Sequence, residues 1–191
     1  MGVLMSPTAE QKAPAPAADL AGLAFFAGSW QAEGTFHATP FSAQKPIRMS
    51  IDADVIERVI DIAASPETVF TLLTDPQEYV RWKGRAAQLD PRAGGRFHVS
   101  FKDAAVRGEY VEVIPNRRVV FTWGWETPGA AVGPGGSTVE IDLEPRGKGT
   151  RLRLVHRGLP AAELASHSLG WDHFLPRLVA VAEGGSVPAE A

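Results

Sequence analysis

Residues 161–183 have the sequence AAELASHSLGWDHFLPRLVAVAE, and this stretch decides the fold. Large apolar side chains recur in it at near-helical spacing: Leu164, Trp171, Leu175 and Leu178. Gly184-Gly185 ends the pattern, so the stretch predicts a long C-terminal helix with one apolar face that another element must cover. Pro176 lies inside it and cannot donate to the carbonyl of Asp172, so we expect a kink or a break there.

The sequence before this helix alternates apolar and polar residues with a period of two, which is typical of half-buried strands. Three segments, at 96–101, 118–126 and 138–144, place these residues on one face: Phe97, Val99, Phe101, Val119, Phe121, Trp123, Trp125, Val139, Ile141 and Leu143. Glycine, proline and asparagine between the segments indicate turns. The order predicts an antiparallel meander whose apolar face the long helix covers.

Two short helices are predicted directly after the first strand. That strand is Val55–Ile62, which is dense in β-branched residues. Ser65 and Pro66 then supply an N-cap hydroxyl and a proline at the first helical position, and Asp75-Pro76 repeats the signal. The sequence therefore predicts an α+β domain, in which a curved antiparallel sheet wraps around a long C-terminal helix.

The ends of the chain differ from this domain in composition. Residues 1–48 are rich in alanine and proline and predict a tail, with a short ordered patch near 20–36. This patch is interpreted either as a strand or helix on the outside of the domain or as a segment that resembles the opening strand of calycin-type barrels. We assign the domain to 49–185, with Met49 as an alternative start, and expect 186–191 to be disordered.

Composition excludes several classes of function. The chain of 191 residues is 45% apolar and 21% charged, which is the balance of one soluble folded domain. Its net charge of −3 argues against a nucleic-acid partner. It contains no cysteine, no apolar run long enough to span a membrane and no signal-peptide pattern at its start, so we expect a cytoplasmic protein.

Five sequence motifs, in this order, carry a family resemblance. They are FTLLTDP at 70–76 with Trp82, DPRAGGRF at 90–97, GEYVEVIPNRRVVFTW at 108–123, TRLRLVHRGL at 150–159 and HSLGW at 167–171. In these motifs the chain resembles the activator of heat-shock protein 90 ATPase homologue-1-like family, within the START-like or Bet v 1-like (SRPBCC) superfamily. The resemblance implies the helix-grip fold and, by analogy with the superfamily, binding of lipids, polyketides or other apolar molecules. A minority of the superfamily are cyclases or dehydratases.

His156 is the ionisable residue whose strand parity matches the apolar face, because it follows Leu152 and Leu154 at a spacing of two. It is therefore expected to face the space between sheet and helix. There it is either a structural histidine, bonded to backbone or a hydroxyl, or an acid/base group for a bound molecule. We consider it a weak catalytic candidate, since the sequence offers no convincing second polar group opposite it.

Large aromatic side chains form the candidate ligand-binding set, together with His156. They are Trp82, Phe97, Phe101, Trp123, Trp125, Trp171 and Phe174. Each of them also suits an ordinary hydrophobic core. The first hypothesis is thus binding of a small hydrophobic or amphipathic molecule between sheet and helix.

Two rival hypotheses are an enzyme of the cyclase, dehydratase or hydrolase type on the same scaffold, and a co-chaperone-like interaction module. The enzyme hypothesis is less favoured than ligand binding. We expect no cofactor and no metal, because His167 and His173 lie six residues apart and so on different faces of one helix. A chaperone partner finds little support in the modest basic row formed by Arg151, Arg153 and Arg157.

Overall fold

The computed structural model describes residues 50–52 and 55–188. Within these residues, eight strands form one antiparallel sheet: β1 (Ser50–Asp52), β2 (Val55–Ile62), β3 (Ala86–Leu89), β4 (Arg96–Ser100), β5 (Ala105–Ile114), β6 (Arg118–Trp123), β7 (Ser137–Arg146) and β8 (Gly149–Arg157). Their order across the sheet is β1-β2-β8-β7-β6-β5-β4-β3. Strands β3 to β8 therefore form the predicted meander, and β2 pairs with β8 to place the start of the domain beside its last strand.

The helices are α1 (Pro66–Thr74), α2 (Pro76–Tyr79) and α3 (Leu164–Ala182), the last preceded by a 3-10 turn at Ala161–Glu163. The predicted cap of α1 is confirmed, since Ser65 Oγ accepts from the backbone N–H of Thr68 at 3.2 Å. Asp75 Oδ1 likewise accepts from the backbone N–H groups of Gln77 and Glu78. The prediction of two short helices divided by a corner is correct, because each helix starts with its own capping residue and proline.

Of the kink or break predicted at Pro176, the break does not occur. Helix α3 continues through this residue from Leu164 to Ala182. Pro176 is on the exposed side of the helix, whereas Leu175 and Leu178 are buried. A proline removes only one backbone hydrogen bond, and water can solvate the freed carbonyl on an exposed face, so packing on the opposite face keeps the helix in one piece.

The alternating pattern does not predict strand β5, because a glycine interrupts its buried face. Val106, Gly108 and Tyr110 are buried at alternate positions. A Cβ atom at Gly108 would lie 1.7 Å from the carbonyl oxygen of Thr122 on β6, so the close approach of the two strands requires glycine. The register of β5 against β6 then shifts at a bulge between Tyr110 and Glu112.

Strands β4 and β6 are shorter than the alternating pattern predicts. β4 ends at Ser100 and β6 at Trp123, so Phe101 and Trp125 lie just beyond strand ends. Trp125 keeps a single bridge to Val106. Both aromatic residues are half-buried, which places them at one end of the sheet rather than in its centre.

Helix α3 covers the inner face of the sheet, and an ion pair between the buried Arg58 and the more exposed Asp172 fixes this arrangement. Arg58 on β2 is opposite Leu154 of β8 in the register and is only 2% exposed. Its guanidinium donates to both carboxylate oxygens of Asp172 on α3, at 2.7 and 3.0 Å, and to Ser168 Oγ at 2.6 Å. Such a bidentate contact fixes the orientation of α3 on the sheet as well as its position.

The predictions for the chain ends fall mostly outside the described residues. The tail at 1–48 and its ordered patch at 20–36 lie outside them entirely. Of the 186–191 segment, Val187 packs against the core and the Pro188 carbonyl accepts from Arg177 Nη2 at 2.8 Å, while 189–191 lie outside. None of the helices in the described ranges combines the length and apolar character that crossing a bilayer requires.

Candidate functional site

His156 lies on the inner face of the sheet, near the end of β8, as its strand parity predicts. It is 1% exposed. Its Nε2 is 2.9 Å from Ser137 Oγ on β7, and its Nδ1 accepts from Trp171 Nε1 on α3 at 3.1 Å. The histidine thus connects the sheet to the long helix through both ring nitrogens.

These two contacts determine the tautomer of His156. An indole nitrogen can only donate, so Nδ1 must carry the lone pair and the proton of the neutral ring is on Nε2. Nε2–H therefore donates to Ser137 Oγ, which in turn donates to the backbone carbonyl of Trp123 at 3.0 Å. Ser137 cannot pass a proton to His156 in this state, and a Ser–His nucleophile is excluded for this arrangement.

Burial keeps His156 uncharged. It lowers the pKa of His156 well below the ordinary value, and the nearby His167 and the positive charge of Lys83 lower it further. Protonation would also put a proton on Nδ1 and so remove the acceptor that Trp171 uses. In its neutral form, the residue serves as a structural link between β8 and α3.

His167, on the first turns of α3, lies close to His156. The two ring centroids are 5.6 Å apart. Its Nδ1 is 2.8 Å from the carbonyl oxygen of Glu163, and because a carbonyl only accepts, Nδ1 carries a proton. Burial lowers the pKa of His167, while the contacts with Glu163 oppose that change.

Trp123, at the end of β6, faces both histidines. Its ring centroid is 5.5 Å from His156 and 5.0 Å from His167. The side chain is 4% exposed, and its Nε1–H is buried without a hydrogen-bond acceptor among the residues that the structure describes. Leaving a buried donor unsatisfied costs about 1–3 kcal/mol, so this N–H is the first place to look for a ligand.

Lys83, which follows α2, brings a positive charge to the same region. It is only 6% exposed, and its Nζ is 4.1 Å from the centre of the Trp171 ring and 5.0 Å from that of Phe174. Aromatic faces attract an ammonium group, which helps to keep this lysine in a largely buried position. We call the set Lys83, Trp123, His156, His167 and Trp171 the Trp–His cluster.

Three further aromatic residues border the Trp–His cluster. Phe101 lies 6.0 Å from Trp125 and 6.2 Å from Phe174, ring centre to ring centre, and Trp125 lies 5.0 Å from Trp123. Phe101 and Trp125 are half-buried. We call these three residues the aromatic rim, because they lie between the buried cluster and solvent.

Two of the predicted site residues belong to a different group of rings. Phe97 stacks on Phe121 at 4.0 Å and is fully buried. Trp82 packs against Tyr79, and its indole nitrogen donates to the carbonyl of Leu72 at 2.8 Å. Trp82 lies near the Trp–His cluster on the side of Lys83, whose Nζ is 6.0 Å from the centre of the Trp82 ring. The other six predicted residues, Phe101, Trp123, Trp125, His156, Trp171 and Phe174, come together.

The family model of the activator of Hsp90 ATPase homolog 1-like proteins matches residues 63–183. The chain belongs to this family. A solved structural relative, the AHSA1-like protein of Rhizobium etli, is 39% identical, with a TM-score of 0.57 over 76% of this chain and 91% of that one. A protein from the dynemicin biosynthetic locus is 26% identical, with a TM-score of 0.62 over 72% of this chain and 50% of the other.

Curated relatives of this AHSA1-like chain are much longer than the matched region. The chain is 24% identical to human activator of 90 kDa heat shock protein ATPase homolog 1 over 132 residues, which are 68% of this chain and 37% of that protein. It is 26% identical to mouse homolog 2 over 113 residues, 56% of this chain and 32% of the relative. The chain therefore spans about a third of the length of these two relatives. The match to the family model confirms the predicted family resemblance.

The sequence did not predict several polar members of the candidate site. Lys83 directly follows Trp82 and gave no signal, because a lone lysine after a helix is usually solvated. Ser137 starts β7 directly after a glycine-rich loop and one residue before the alternating segment predicted at 138–144, so the alternation gives no signal for it. His167 and His156 were considered separately, since only tertiary structure brings a strand end and a helix start together. In the described ranges, no group of three or more His, Cys, Asp or Glu side chains is arranged to hold a metal ion.

Proposed function

We propose that the protein binds a small amphipathic molecule between the end of the sheet and the first half of α3. The observation that carries this proposal is the buried Nε1–H of Trp123, which has no acceptor among the residues that the structure describes. An acceptor atom on a bound molecule would satisfy it and recover the cost of its burial. The aromatic rim supplies flat apolar surfaces on which the rest of such a molecule can pack.

The location of polar and apolar groups agrees with an amphipathic ligand. Towards the C-terminal end of α3 the seam between sheet and helix is filled by aliphatic side chains, with Leu152 and Leu178 fully buried. The Trp–His cluster occupies the other end, where His156 and Lys83 lie beside aromatic faces. A ligand placed there would meet polar groups inside and aromatic surface towards solvent.

Binding is favoured over catalysis by the state of His156. A general base needs a free lone pair directed at its substrate. Here the lone pair on Nδ1 accepts from Trp171, and Nε2–H is directed at Ser137. Both nitrogens are thus committed to the protein, which argues against the enzyme hypothesis with His156 as acid or base.

The test is a titration of purified protein with fatty acids and a neutral solvatochromic dye, followed by tryptophan emission and melting temperature. Binding should raise the melting temperature by mass action, with a stabilisation of about 2.7 kcal/mol at a hundred times Kd. Trp123→Phe should weaken binding about three- to ten-fold because one neutral hydrogen bond is lost. Trp82→Phe is the matched control, since its indole N–H is already used by Leu72. If no compound changes either signal, the proposal is wrong.

A second candidate, binding to a 90 kDa heat-shock chaperone, is favoured by family membership and by exposed apolar side chains. On β5, Val111 is 53% and Ile114 40% exposed. The basic row that sequence analysis considered is largely neutralised: Arg151 pairs with Asp61 and Arg153 with Glu57. Co-sedimentation with the purified chaperone, comparing wild type with Val111→Asp, would test this role. A cytoplasmic location stays a prediction.

A further inference from the structure

We infer that the loop between β6 and β7 covers the proposed binding site, and that Val132 in this loop limits the length of the bound molecule. This inference rests on the proposed function and identifies the residue that sets its size selectivity. The β6–β7 loop, residues 124–136, joins Trp123 at the end of β6 to Ser137 at the start of β7. These two residues are partners in the register, and Ser137 contacts His156. The loop therefore leaves and rejoins the sheet at the Trp–His cluster.

Val132 is the point at which this loop enters the core. It is 3% exposed and belongs to the hydrophobic core, whereas the other residues of 126–136 are exposed or half-buried. A Cβ atom at Gly136 would lie 3.5 Å from Val132 Cγ1, so this side chain packs against the start of β7, next to Ser137. Val132 therefore closes the loop over the end of the sheet.

The middle of the β6–β7 loop is lightly held. The buried side chain of Val132 anchors it, together with a bond of 2.8 Å from the backbone N–H of Trp125 to the Val132 carbonyl. Residues 127–131, just before this anchor, are exposed or half-buried. Segments with little buried surface open at a lower free energy than the core, so a molecule can enter by displacing Val132.

The position of the ligand's two ends follows from the groups around the site. An acceptor that binds the Trp123 N–H holds the polar end, and the apolar body then packs on the aromatic rim, which includes Trp125. Towards the other end of α3 the seam is filled by the fully buried Leu152 and Leu178. A longer body extends along the rim and meets Val132, whose carbonyl contacts Trp125. Beyond that length, further carbon atoms must displace Val132 or stay in solvent.

The experiment measures Kd by calorimetry for saturated fatty acids from hexanoate to tetradecanoate. Each buried CH₂ group is worth about four-fold in Kd, so affinity should rise with length until the chain meets Val132 and then level off. Val132→Ala removes two methyl groups and should move this plateau to chains about two carbons longer, whereas Val132→Phe should move it to shorter chains. Val69→Ala is the matched control, because it removes the same two methyl groups from a fully buried valine on α1.

A second measurement detects opening of the loop directly. The chain contains no cysteine, so Val132→Cys gives it a single thiol. N-ethylmaleimide should react with this buried thiol about ten-fold more slowly than with the thiol of Ala131→Cys, whose position is exposed. A saturating fatty acid shorter than the plateau should slow the Val132→Cys reaction about ten-fold further, because it stabilises the closed loop by mass action.

Fatty acids that bind with the same length limit in both Val132 variants, or that leave the labelling rate unchanged, would overturn the inference and leave the proposed function standing. If no fatty acid binds, the inference is overturned. If the solvatochromic dye fails to bind as well, the proposed function is overturned with it.

Discussion

The link between His156 and Trp171 gives the sharpest prediction, because its two ends lie on different elements. Replacing His156 by leucine removes the acceptor for the Trp171 N–H, which lies in a buried position. An orphaned buried donor costs about 1–3 kcal/mol, and loss of the bond to Ser137 adds about 0.5–1.5 kcal/mol. We therefore expect His156→Leu to lower the free energy of unfolding by about 2–4 kcal/mol.

A double-mutant cycle separates this link from ordinary packing. Trp171→Phe alone leaves His156 Nδ1 without its donor, whereas His156→Leu with Trp171→Phe leaves neither group unpaired. The double variant should therefore be more stable than the sum of the single effects allows, by about 1–3 kcal/mol.

The assay is urea unfolding at pH 7.5, followed by circular dichroism, with unchanged m-values as the check for two-state behaviour. The control cycle combines His156→Leu with Trp82→Phe, whose ring lies in the other aromatic group, and should be additive within about 0.5 kcal/mol. Additivity in the His156–Trp171 cycle as well would refute the hydrogen-bonded link and, with it, the assigned tautomer.

Three other predictions concern the whole domain. Burial depresses the pKa of His156 and of His167, so their contribution to the free energy of unfolding is complete above about pH 6.5 and is lost as the pH falls from there towards the folded-state pKa. The slope should reach up to about 1.4 kcal/mol per pH unit for each histidine. Unfolding curves from pH 8 to 5 measure this slope, and His156→Leu should reduce it. Asp172→Asn should cost about 1–3 kcal/mol in urea unfolding, because the buried Arg58 loses its counter-charge but keeps Ser168, and an unchanged midpoint would contradict the anchoring role. A chain that starts at Met49 should melt cooperatively, as the sheet and helices described begin after it; a broad, non-cooperative melt would show that 1–48 contribute to the fold.

Much of the fold was predictable because local patterns and global structure agree. β2 has the predicted boundaries, and the caps at Ser65 and Asp75 start α1 and α2 where expected. Each of these signals acts over a few residues, through β-branching, alternation or a side-chain cap. Of the kink or break expected at Pro176, the break does not occur, because packing of α3 on the sheet outweighs one missing backbone bond.

For the candidate site, the sequence by itself determined which face each residue occupies. Alternation along β6 and β8 placed Trp123 and His156 on the buried face, and helical spacing placed Trp171 opposite them. Only the tertiary structure decided their roles, because these depend on distances between residues far apart in the chain. It showed that Trp171 uses the acceptor of His156, that the Trp123 donor has no acceptor within the described part of the chain, and that Lys83 lies over the Trp171 ring. Residue type sets what a group can donate or accept, whereas its partners, and hence its chemistry, are set by the packing of helix on sheet.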